Sequence, residues 1–285
     1  MFGGGSHERS TAEEAVSIAI ASGKGGTGKS FLATNLAVVL SELEHGVTLT
    51  DCDFGMACDH LLLGVAPKRT LQHLLTGQAQ LADVQIQTEA GPLLVPGGSG
   101  ILQMADLSDK QLRMLGSIFG KIAAESDVLL LDVGAGIAPQ NILTLLCADH
   151  IVLVTQPEIA ALTDAYAVIK CASQLREDAQ FSVVVNRVML AGQGERTFDK
   201  LAQVAMRHAG VELTYLGEIG EDPTVTRRRL GQQPLVVCDP EGETTRAIRA
   251  IARRLEAIAG PLGPRTVDSD SCIEQRFREH RLFLN

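Results

Sequence analysis

The chain has 285 residues, of which 45% are hydrophobic and 21% are charged, and its formal net charge is −9. This composition favours a globular protein with a large buried core over a disordered chain. The acidic balance argues against a broad nucleic-acid-binding surface, so nucleic acid is not expected among the partners. The sequence lacks an apolar run near the roughly 20 residues of a membrane-spanning helix and lacks a signal-peptide core, so we expect a cytoplasmic protein.

Strand-like and helix-like segments alternate along most of the chain. Continuous apolar runs are typical of strands covered on both faces, and apolar residues three and four apart predict helices. We predict strands at Val16–Ala21, Val47–Thr50, Leu93–Val95, Val128–Leu131, Ile151–Val154, Phe181–Val185 and Leu216–Ile219, with Leu235–Val237 as a short extension. We predict helices at Leu32–Leu43, Leu112–Ile122, Ile159–Leu175, Phe198–His208 and Ile248–Ile258. This alternation predicts an α/β fold, a doubly wound, mostly parallel sheet with helices on both faces.

The two ends of the chain differ from its middle. Residues 1–14 are rich in Gly, Ser and Glu and predict a flexible arm, whereas residues 15–260 should form one domain. Residues 261–285 begin as a linker and end in a short amphipathic segment, 273–285, with Ile273 and Phe277 on one helical face and arginines beside them. This segment suits either a weak anchor on an anionic membrane surface or a helix folded back onto the domain.

A phosphate-binding motif follows the first predicted strand and precedes the first predicted helix. It reads Gly23-Lys24-Gly25-Gly26-Thr27-Gly28-Lys29-Ser30, with Phe31 next. The glycines let backbone N–H groups turn toward phosphate oxygens, and the helix N-terminus adds partial positive charge. Lys29 is expected to reach the β- and γ-phosphates, and Ser30 is expected to ligate Mg²⁺.

Carboxylates follow two other predicted strands. Asp51 and Asp53 come after Val47–Thr50, and Asp132 comes after Val128–Leu131. Ligands bind at the carboxyl ends of strands in doubly wound sheets, although Asp residues there also cap helices and form turns, an alternative that stays open for Asp51.

The run from Lys24 to Ser30 resembles the deviant Walker A motif of the MinD/ParA family of ATPases. The resemblance covers about Val16 to Ile258. It implies ATP, ADP and Mg²⁺ as ligands and an ATP-dependent homodimer in which Lys24 reaches the partner's nucleotide. It also implies that Asp53 orients the attacking water and joins Ser30 and Asp132 at the metal, and that Asn186, Asp222 and Pro223 form the base pocket.

Several segments resemble the FlhG (FleN) branch of this family, which controls flagellar number and placement. They are Pro96-Gly97-Gly98-Ser99-Gly100, residues 132–137, residues 157–166, residues 185–188 and residues 215–217. The resemblance implies a slow regulatory ATPase whose partners include the flagellar GTPase FlhF, a flagellar transcription regulator or flagellar switch proteins. Cys58 stands where the family has an asparagine, and the N-terminal arm lacks the element by which many members stimulate FlhF.

Other functions remain open at this stage. A MinD-like regulator of the division site shares the motifs, and a ParA-like DNA or cargo partitioning ATPase would use the arginines at 227–229 and 246–254 on phosphates. An iron–sulfur carrier needs paired cysteines, which the six cysteines here do not form. A scaffold that no longer hydrolyses ATP is disfavoured because Asp53 and Asp132 are present.

Overall fold

The computed structural model describes residues 11–98, 108–227, 233–260, 262–268 and 272–281. The strands in these ranges are β1 (Thr11–Glu14), β2 (Val16–Ala21), β3 (Val47–Cys52), β4 (Ile86–Gln87), β5 (Leu93–Val95), β6 (Val128–Val133), β7 (His150–Thr155), β8 (Gln180–Val188), β9 (Leu213–Gly220) and β10 (Arg265–Asp268). The helices are α1 (Lys29–Glu42), α2 (Asp59–Leu62), α3 (Leu71–Leu75), α4 (Leu81–Val84), α5 (Asp109–Ala124), α6 (Pro139–Cys147), α7 (Ile159–Leu175), α8 (Gln193–Ala209), α9 (Pro223–Thr226), α10 (Leu235–Cys238), α11 (Glu243–Ala259) and α12 (Ile273–Arg281). No helix within the described ranges combines the length and the apolar character needed to cross a bilayer.

The main sheet confirms the predicted architecture. Its strands follow the order β4-β5-β3-β6-β2-β7-β8-β9, and each neighbouring pair is parallel except β4 with β5. Alternate residues of β2 enter two apolar cores, one on each face. Ile18 and Ile20 pack with residues of α1 and α11, whereas Ala19 and Ala21 share the other core with residues of α5, α6 and α7. The helices therefore cover both faces, and the carboxyl ends of β2, β3 and β6 meet at one edge.

One predicted strand is wrong. Leu235–Val237 was expected to extend a strand, but these residues begin the short helix α10. Pro234 precedes the helix, Leu235 and Val236 are buried, and the Val236 N–H donates to Asn35 Oδ1 at 3.1 Å. An apolar run this short has no readable period, so packing on α1 decides its conformation.

The predictions of a flexible arm and of a linker are also wrong for the parts that the structure describes. Residues 11–14 of the expected arm form β1, which pairs antiparallel with β10 from the expected linker. Thr11 lies opposite Asp268, and Glu14 lies opposite Arg265. Because the partners are more than 250 residues apart and both segments are polar, no local pattern indicated this pairing. Residues 1–10 lie outside the described part of the chain.

The C-terminal helix α12 is folded back onto α5 and α6. Ile273 and Phe277 are 0% and 1% exposed, and the Phe277 ring meets Phe119 edge-on with centroids 5.7 Å apart. Gly116 and Gly120 of α5 allow this approach, since a Cβ added there would lie 3.1 and 3.2 Å from atoms of α12. The apolar face proposed for membrane contact is therefore buried in this structure as far as residue 281, and Leu282–Leu284 lie outside the described residues.

An ion network centred on the buried Asp149 holds β1, β10 and α12 at the amino ends of the sheet strands. Arg276 Nη1 lies 2.5 Å from Asp149 Oδ1, Arg265 also pairs with Asp149, and Glu14 accepts from the Ile273 N–H at 3.1 Å. Burial disfavours ionisation of Asp149, but the two arginines hold the pKa of its carboxyl well below the usual range. The network fixes α12 and β1 at the edge opposite the glycine-rich loop.

Candidate functional site

The glycine-rich loop joins β2 to α1 and forms one wall of a cleft of about 560 Å³. The other walls come from the loops that follow β3 and β6. The predicted residues along the cleft are Gly25, Gly26, Thr27, Gly28, Lys29, Ser30, Phe31 and Asp53. The structure thus gathers candidates from separate strand ends at one place, as expected for a doubly wound sheet.

The geometry of the loop explains why three of its positions are glycine. Gly26 and Gly28 have backbone φ values of +81° and +91°, which residues other than glycine rarely adopt. A Cβ at Gly28 would also lie 2.1 Å from Asn186 Nδ2, and one at Gly23 would lie 2.1 Å from the Asp164 carbonyl carbon in α7. The loop therefore has no room for side chains at Gly23 and Gly28, because α7 and the end of β8 press against it.

Lys29, the first residue of α1, points into the site. Its Nζ atom lies 2.6 Å from Asp132 Oδ1 and 3.2 Å from Ser30 Oγ, and its side chain is 7% exposed. Burial disfavours the charged ammonium, yet the adjacent Asp132 raises the pKa of Lys29 above its usual value. Lys29 is therefore a buried cation beside the residues predicted to bind Mg²⁺.

A group of three buried carboxylates lies beneath this lysine. Asp51, Asp59 and Asp132 are each 0% exposed, and one oxygen from each lies within 4.8 Å of the others. Asp51 accepts hydrogen bonds from the backbone N–H groups of Asp53 and Asp59, both at 3.1 Å, so the capping alternative holds for Asp51. Burial, followed by the charge of Asp132, raises the pKa of Asp51 to about 7 and raises that of Asp59 well above its usual range.

This donor set fits a magnesium ion. Neither carboxylate oxygen of Asp59, nor Oδ2 of Asp132, has a hydrogen-bond partner among the described residues. Mg²⁺ prefers oxygen ligands, and it usually binds through one or two carboxylates together with substrate phosphates. Ser30 and Asp132 are suitably placed beside Lys29, so the assignment of Mg²⁺ to this site remains a prediction that the geometry suits.

Asp59 was missed in the sequence analysis. It is the first residue of the four-residue helix α2, eight positions after Asp51. An acidic residue in the first turn of a helix usually interacts with exposed N–H groups, so its type and place give no sign of burial. Only the turn of the β3–α2 loop brings it to Asp132.

Asp53, the predicted water-orienting residue, lies in the cleft wall and is half-buried. Its Oδ1 accepts a hydrogen bond from the Met56 N–H at 2.9 Å, which fixes the side chain within its own loop. Asp53 therefore belongs to the part of the cleft wall that the loop after β3 forms.

Lys24 occupies the exposed rim of the loop. Its Nζ lies 3.4 Å from Glu158 Oε2, and the two side chains are 44% and 55% exposed. Exposed ion pairs of this kind contribute little to stability, so Lys24 can leave Glu158 at small cost. Its predicted reach to a partner's nucleotide stays a prediction.

The predicted base pocket is only partly assembled as expected. A pocket of about 200 Å³ beside Gly26 and Gly28 is lined by Phe31, Asn186 and Asp222, whereas Pro223 is not among its described lining residues. Asn186 Nδ2 donates to the Thr27 carbonyl at 2.7 Å, and Asp222 accepts from the Thr224 N–H at 2.8 Å. Asn186 and Asp222 therefore also have local structural roles that sequence reasoning did not find.

A larger cleft, of about 710 Å³, lies at the other edge of the sheet near His150, Lys170 and His208. None of the predicted nucleotide-binding residues lines it. Because its position is at the amino ends of β7 and β8, it is not the place where doubly wound sheets bind ligands.

Comparison with known proteins identifies the family. The profile of the ParA family, described as "NUBPL iron-transfer P-loop NTPase", matches residues 14–256. The chain belongs to the ParA/MinD family of P-loop NTPases. The antiactivator FleN of Pseudomonas aeruginosa is 34% identical to this chain over 248 residues, which are 87% of this chain and 89% of FleN.

Two further ParA/MinD proteins are informative. The flagellum site-determining protein YlxH of Helicobacter pylori is 33% identical over 225 residues, covering 77% of this chain and 74% of YlxH. The septum site-determining protein MinD of Pyrococcus horikoshii, solved in complex with Mg-ADP, has a TM-score of 0.71 and 28% identity over 86% of this chain and 97% of that one. These matches confirm the resemblance to the MinD/ParA family and to its FlhG (FleN) branch.

Two features of this ParA/MinD chain bear on its chemistry. The family description names iron transfer, but among the described residues the one group of three or more possible metal ligands is Asp51, Asp59 and Asp132. Cys58, where the resemblance implies an asparagine, lines the cleft. Burial raises the pKa of its thiol, and a hydrogen bond with Ser30 opposes that rise. Cys58 thus contacts the predicted magnesium ligand.

Three of the arginines considered for DNA binding are engaged within the protein, whereas Arg227 and Arg253 are exposed. Arg246 bonds to the Glu241 carbonyl, Arg249 Nη1 lies 2.5 Å from Glu42 Oε2, and Arg254 Nη1 donates to the Leu216 carbonyl at 2.9 Å. Arg228 and Arg229 lie outside the described residues. These contacts do not favour a phosphate-binding surface on α11.

Proposed function

We propose that this chain is an ATP-dependent molecular switch of the FleN type that regulates flagellar number and placement. ATP with Mg²⁺ binds in the cleft, the loaded chain pairs with a second copy, and slow hydrolysis to ADP separates the pair. A slow reaction suits a switch, because the bound state must last long enough for a partner to respond.

The observation that carries the nucleotide assignment is the contact that Lys29, at the N-terminus of α1, makes with Ser30 and with Asp132 of β6. The loop N–H groups and Lys29 bind the β- and γ-phosphates, while Ser30 and Asp132 hold the metal. Bound Mg²⁺ would offset the negative charge of the phosphates and of the carboxylates. Asp53, on the facing wall, orients the attacking water.

Pairing with a second copy is supported by the surface around the cleft. Met56, Ile137 and Ile159 are 75%, 52% and 86% exposed. Met56 and Ile137 lie in the loops after β3 and β6, and Ile159 begins α7, so all three follow the carboxyl ends of strands. Lys24 lies at the same rim. Exposed apolar side chains grouped around a charged cleft favour a protein partner, and we assign that partner as a second ATP-loaded copy.

The flagellar role is supported by the similarity to YlxH, which is named a flagellum site-determining protein, and by the similarity to the antiactivator FleN, a member of the branch that the sequence motifs resemble. The partners that follow are a FlhF-type GTPase, a flagellar transcription regulator or flagellar switch proteins. The MinD-like and ParA-like alternatives share the fold, but the engaged arginines on α11 offer no support for DNA binding.

Contact with an anionic membrane requires a change in α12. Ile273 and Phe277 must leave the groove on α5, and Arg276 must leave Asp149. We therefore propose membrane contact only for a state in which α12 is undocked. Co-sedimentation with anionic vesicles tests this proposal: the ATP-loaded protein should pellet, and removing residues 273–285 should prevent it. Pelleting that depends neither on ATP nor on these residues would reject it.

The overall proposal is tested by binding and by genetics. Calorimetry should detect MgATP and MgADP, and light scattering should give a dimer with ATP and a monomer with ADP. Deleting the gene should change the number or position of flagella, and an unchanged flagellar pattern with an altered division site would favour the MinD-like alternative.

A further inference from the structure

We propose that Gln156 is a positioning residue that holds the glycine-rich loop in its phosphate-binding shape; this rests on the nucleotide site proposed above. Gln156 directly follows β7 and is 5% exposed. Its Nε2 atom donates a hydrogen bond to the carbonyl oxygen of Gly26 at 3.0 Å. This contact links β7 to the loop without reaching into the phosphate position.

The geometry of the peptide bond explains what that contact does. The carbonyl of Gly26 and the N–H of Thr27 belong to one peptide unit, which is trans here and therefore points them in opposite directions. A donor that fixes the Gly26 carbonyl toward β7 fixes the Thr27 N–H away from β7. The Thr27 N–H is one of the loop groups expected to meet the phosphates.

Asn186 repeats the arrangement one residue later. Its Nδ2 donates to the Thr27 carbonyl at 2.7 Å and so fixes the N–H of Gly28. Gln156 follows β7, and Asn186 lies near the carboxyl end of the adjacent parallel strand β8, so two carboxamides orient two consecutive N–H groups. This pairing turns a flexible loop into an ordered cradle.

The backbone at Gly26 has conformational freedom that this hydrogen bond restricts. A Cβ added at Gly26 would have no atom within 4 Å, and the φ of +81° is one of several values that glycine adopts with similar ease. The hydrogen bond from Gln156 restrains the carbonyl end of the peptide, while Thr27 at its other end is 2% exposed. A carboxylate cannot supply this hydrogen bond, because an ionised carboxylate only accepts hydrogen bonds.

The test compares MgADP affinity by calorimetry for the parent chain and for Gln156→Leu and Gln156→Glu, at several pH values. Gln156→Leu keeps the site neutral but removes the donor, and should weaken binding about tenfold at every pH. Gln156→Glu should weaken MgADP binding at least as much at high pH. On acidification its new carboxyl group gains a proton and can donate, so binding should recover toward the parent value and pass that of Gln156→Leu.

The controls separate this role from charge and from folding. The nearby ion pair between Lys24 and Glu158, 3.4 Å apart, is present in all three proteins. Each affinity is compared with that of the parent at the same pH, so that other titrating groups cancel. Thermal unfolding without nucleotide checks that the variants fold. If Gln156→Leu binds like the parent, or if Gln156→Glu does not recover relative to Gln156→Leu, the positioning role is rejected. A folded parent that binds no MgADP would instead reject the nucleotide site itself and this role with it.

Discussion

Lys29 Nζ and Asp132 Oδ1 lie 2.6 Å apart, and both side chains are almost completely buried. This ion pair joins the first residue of α1 to a residue near the end of β6, beside the cleft that Lys29 lines. Nucleotide phosphates compete for the same ammonium group, so binding has to redistribute the hydrogen bonds of Lys29. The pair therefore links occupancy of the cleft to the position of the loop that follows β6.

Replacing Lys29 tests this relationship. Lys29→Ala should reduce MgATP affinity by at least about 100-fold, because a hydrogen bond from a charged donor to the phosphates is lost. Calorimetry measures the change, and Lys68→Ala, at an exposed lysine, serves as the control. Unchanged affinity in Lys29→Ala would contradict the assignment of the phosphate site.

Asp53 and Lys24 should have separate effects on the ATP state. Asp53→Ala removes the group that orients water, so ATP binding should persist and light scattering should show an accumulated dimer. Lys24→Ala should weaken the dimer, since it removes the cation predicted to reach the partner's nucleotide. Glu158→Gln removes only the pair that Lys24 makes within its own chain, and a dimer should remain in that control. An Asp53→Ala protein that stays monomeric with ATP would argue against assigning water orientation to Asp53 and dimer formation to Lys24.

The buried carboxylates should make stability depend on pH. The pKa of Asp51 is raised from 3.8 to about 7 and that of Asp59 is also raised well above its usual range, so the folded state holds protons that the unfolded chain releases. The contribution of these groups to the free energy of unfolding is therefore largest below the unfolded pKa and is lost as pH rises toward and above 7.

Asp59→Asn removes one of these charges and loses no hydrogen bond to the Asp59 oxygens among the described residues. At about pH 8 the nucleotide-free variant should be more stable than the parent, and at about pH 4 the two should differ little. Urea unfolding at both pH values measures this, with Asp199→Asn at an exposed position as the control. An equal difference at both pH values would mean that the effect is not one of ionisation.

The docked helix α12 should stabilise the domain without affecting the cleft. Phe277→Ala should lower the free energy of unfolding by about 3 kcal/mol, because it leaves a cavity against Phe119. MgADP affinity should stay unchanged, since α12 lies at the opposite edge of the sheet. Arg278→Ala, on the exposed side of α12, should be close to neutral. A loss of nucleotide affinity in Phe277→Ala would show that the two edges communicate.

The sequence was sufficient to predict features that have a periodic pattern, and a motif whose flanking strand and helix could also be recognised. The buried runs of β6 and β7 and the motif from Gly23 to Ser30 predicted the sheet and the loop, and α7 has the predicted bounds, Ile159–Leu175. It was insufficient where distant segments meet. Asp59 reaches Asp132 only through a loop, and β1 finds β10 through polar residues without a periodic signal. Similarly, Gln156 looks like any polar residue after a strand until its contact with Gly26 is seen.

The pairing of β1 with β10 has a practical consequence for experiments on this protein. Thr11 and Asp268 are cross-strand neighbours, and both segments are fixed at the edge of the sheet away from the cleft. A fluorescent reporter or a surface tether added before residue 11 or after residue 281 would therefore be attached on the side away from the nucleotide. Single molecules immobilised in this way would present the cleft and its apolar rim to the solution, where exchange of ligand and arrival of a second chain can be observed directly.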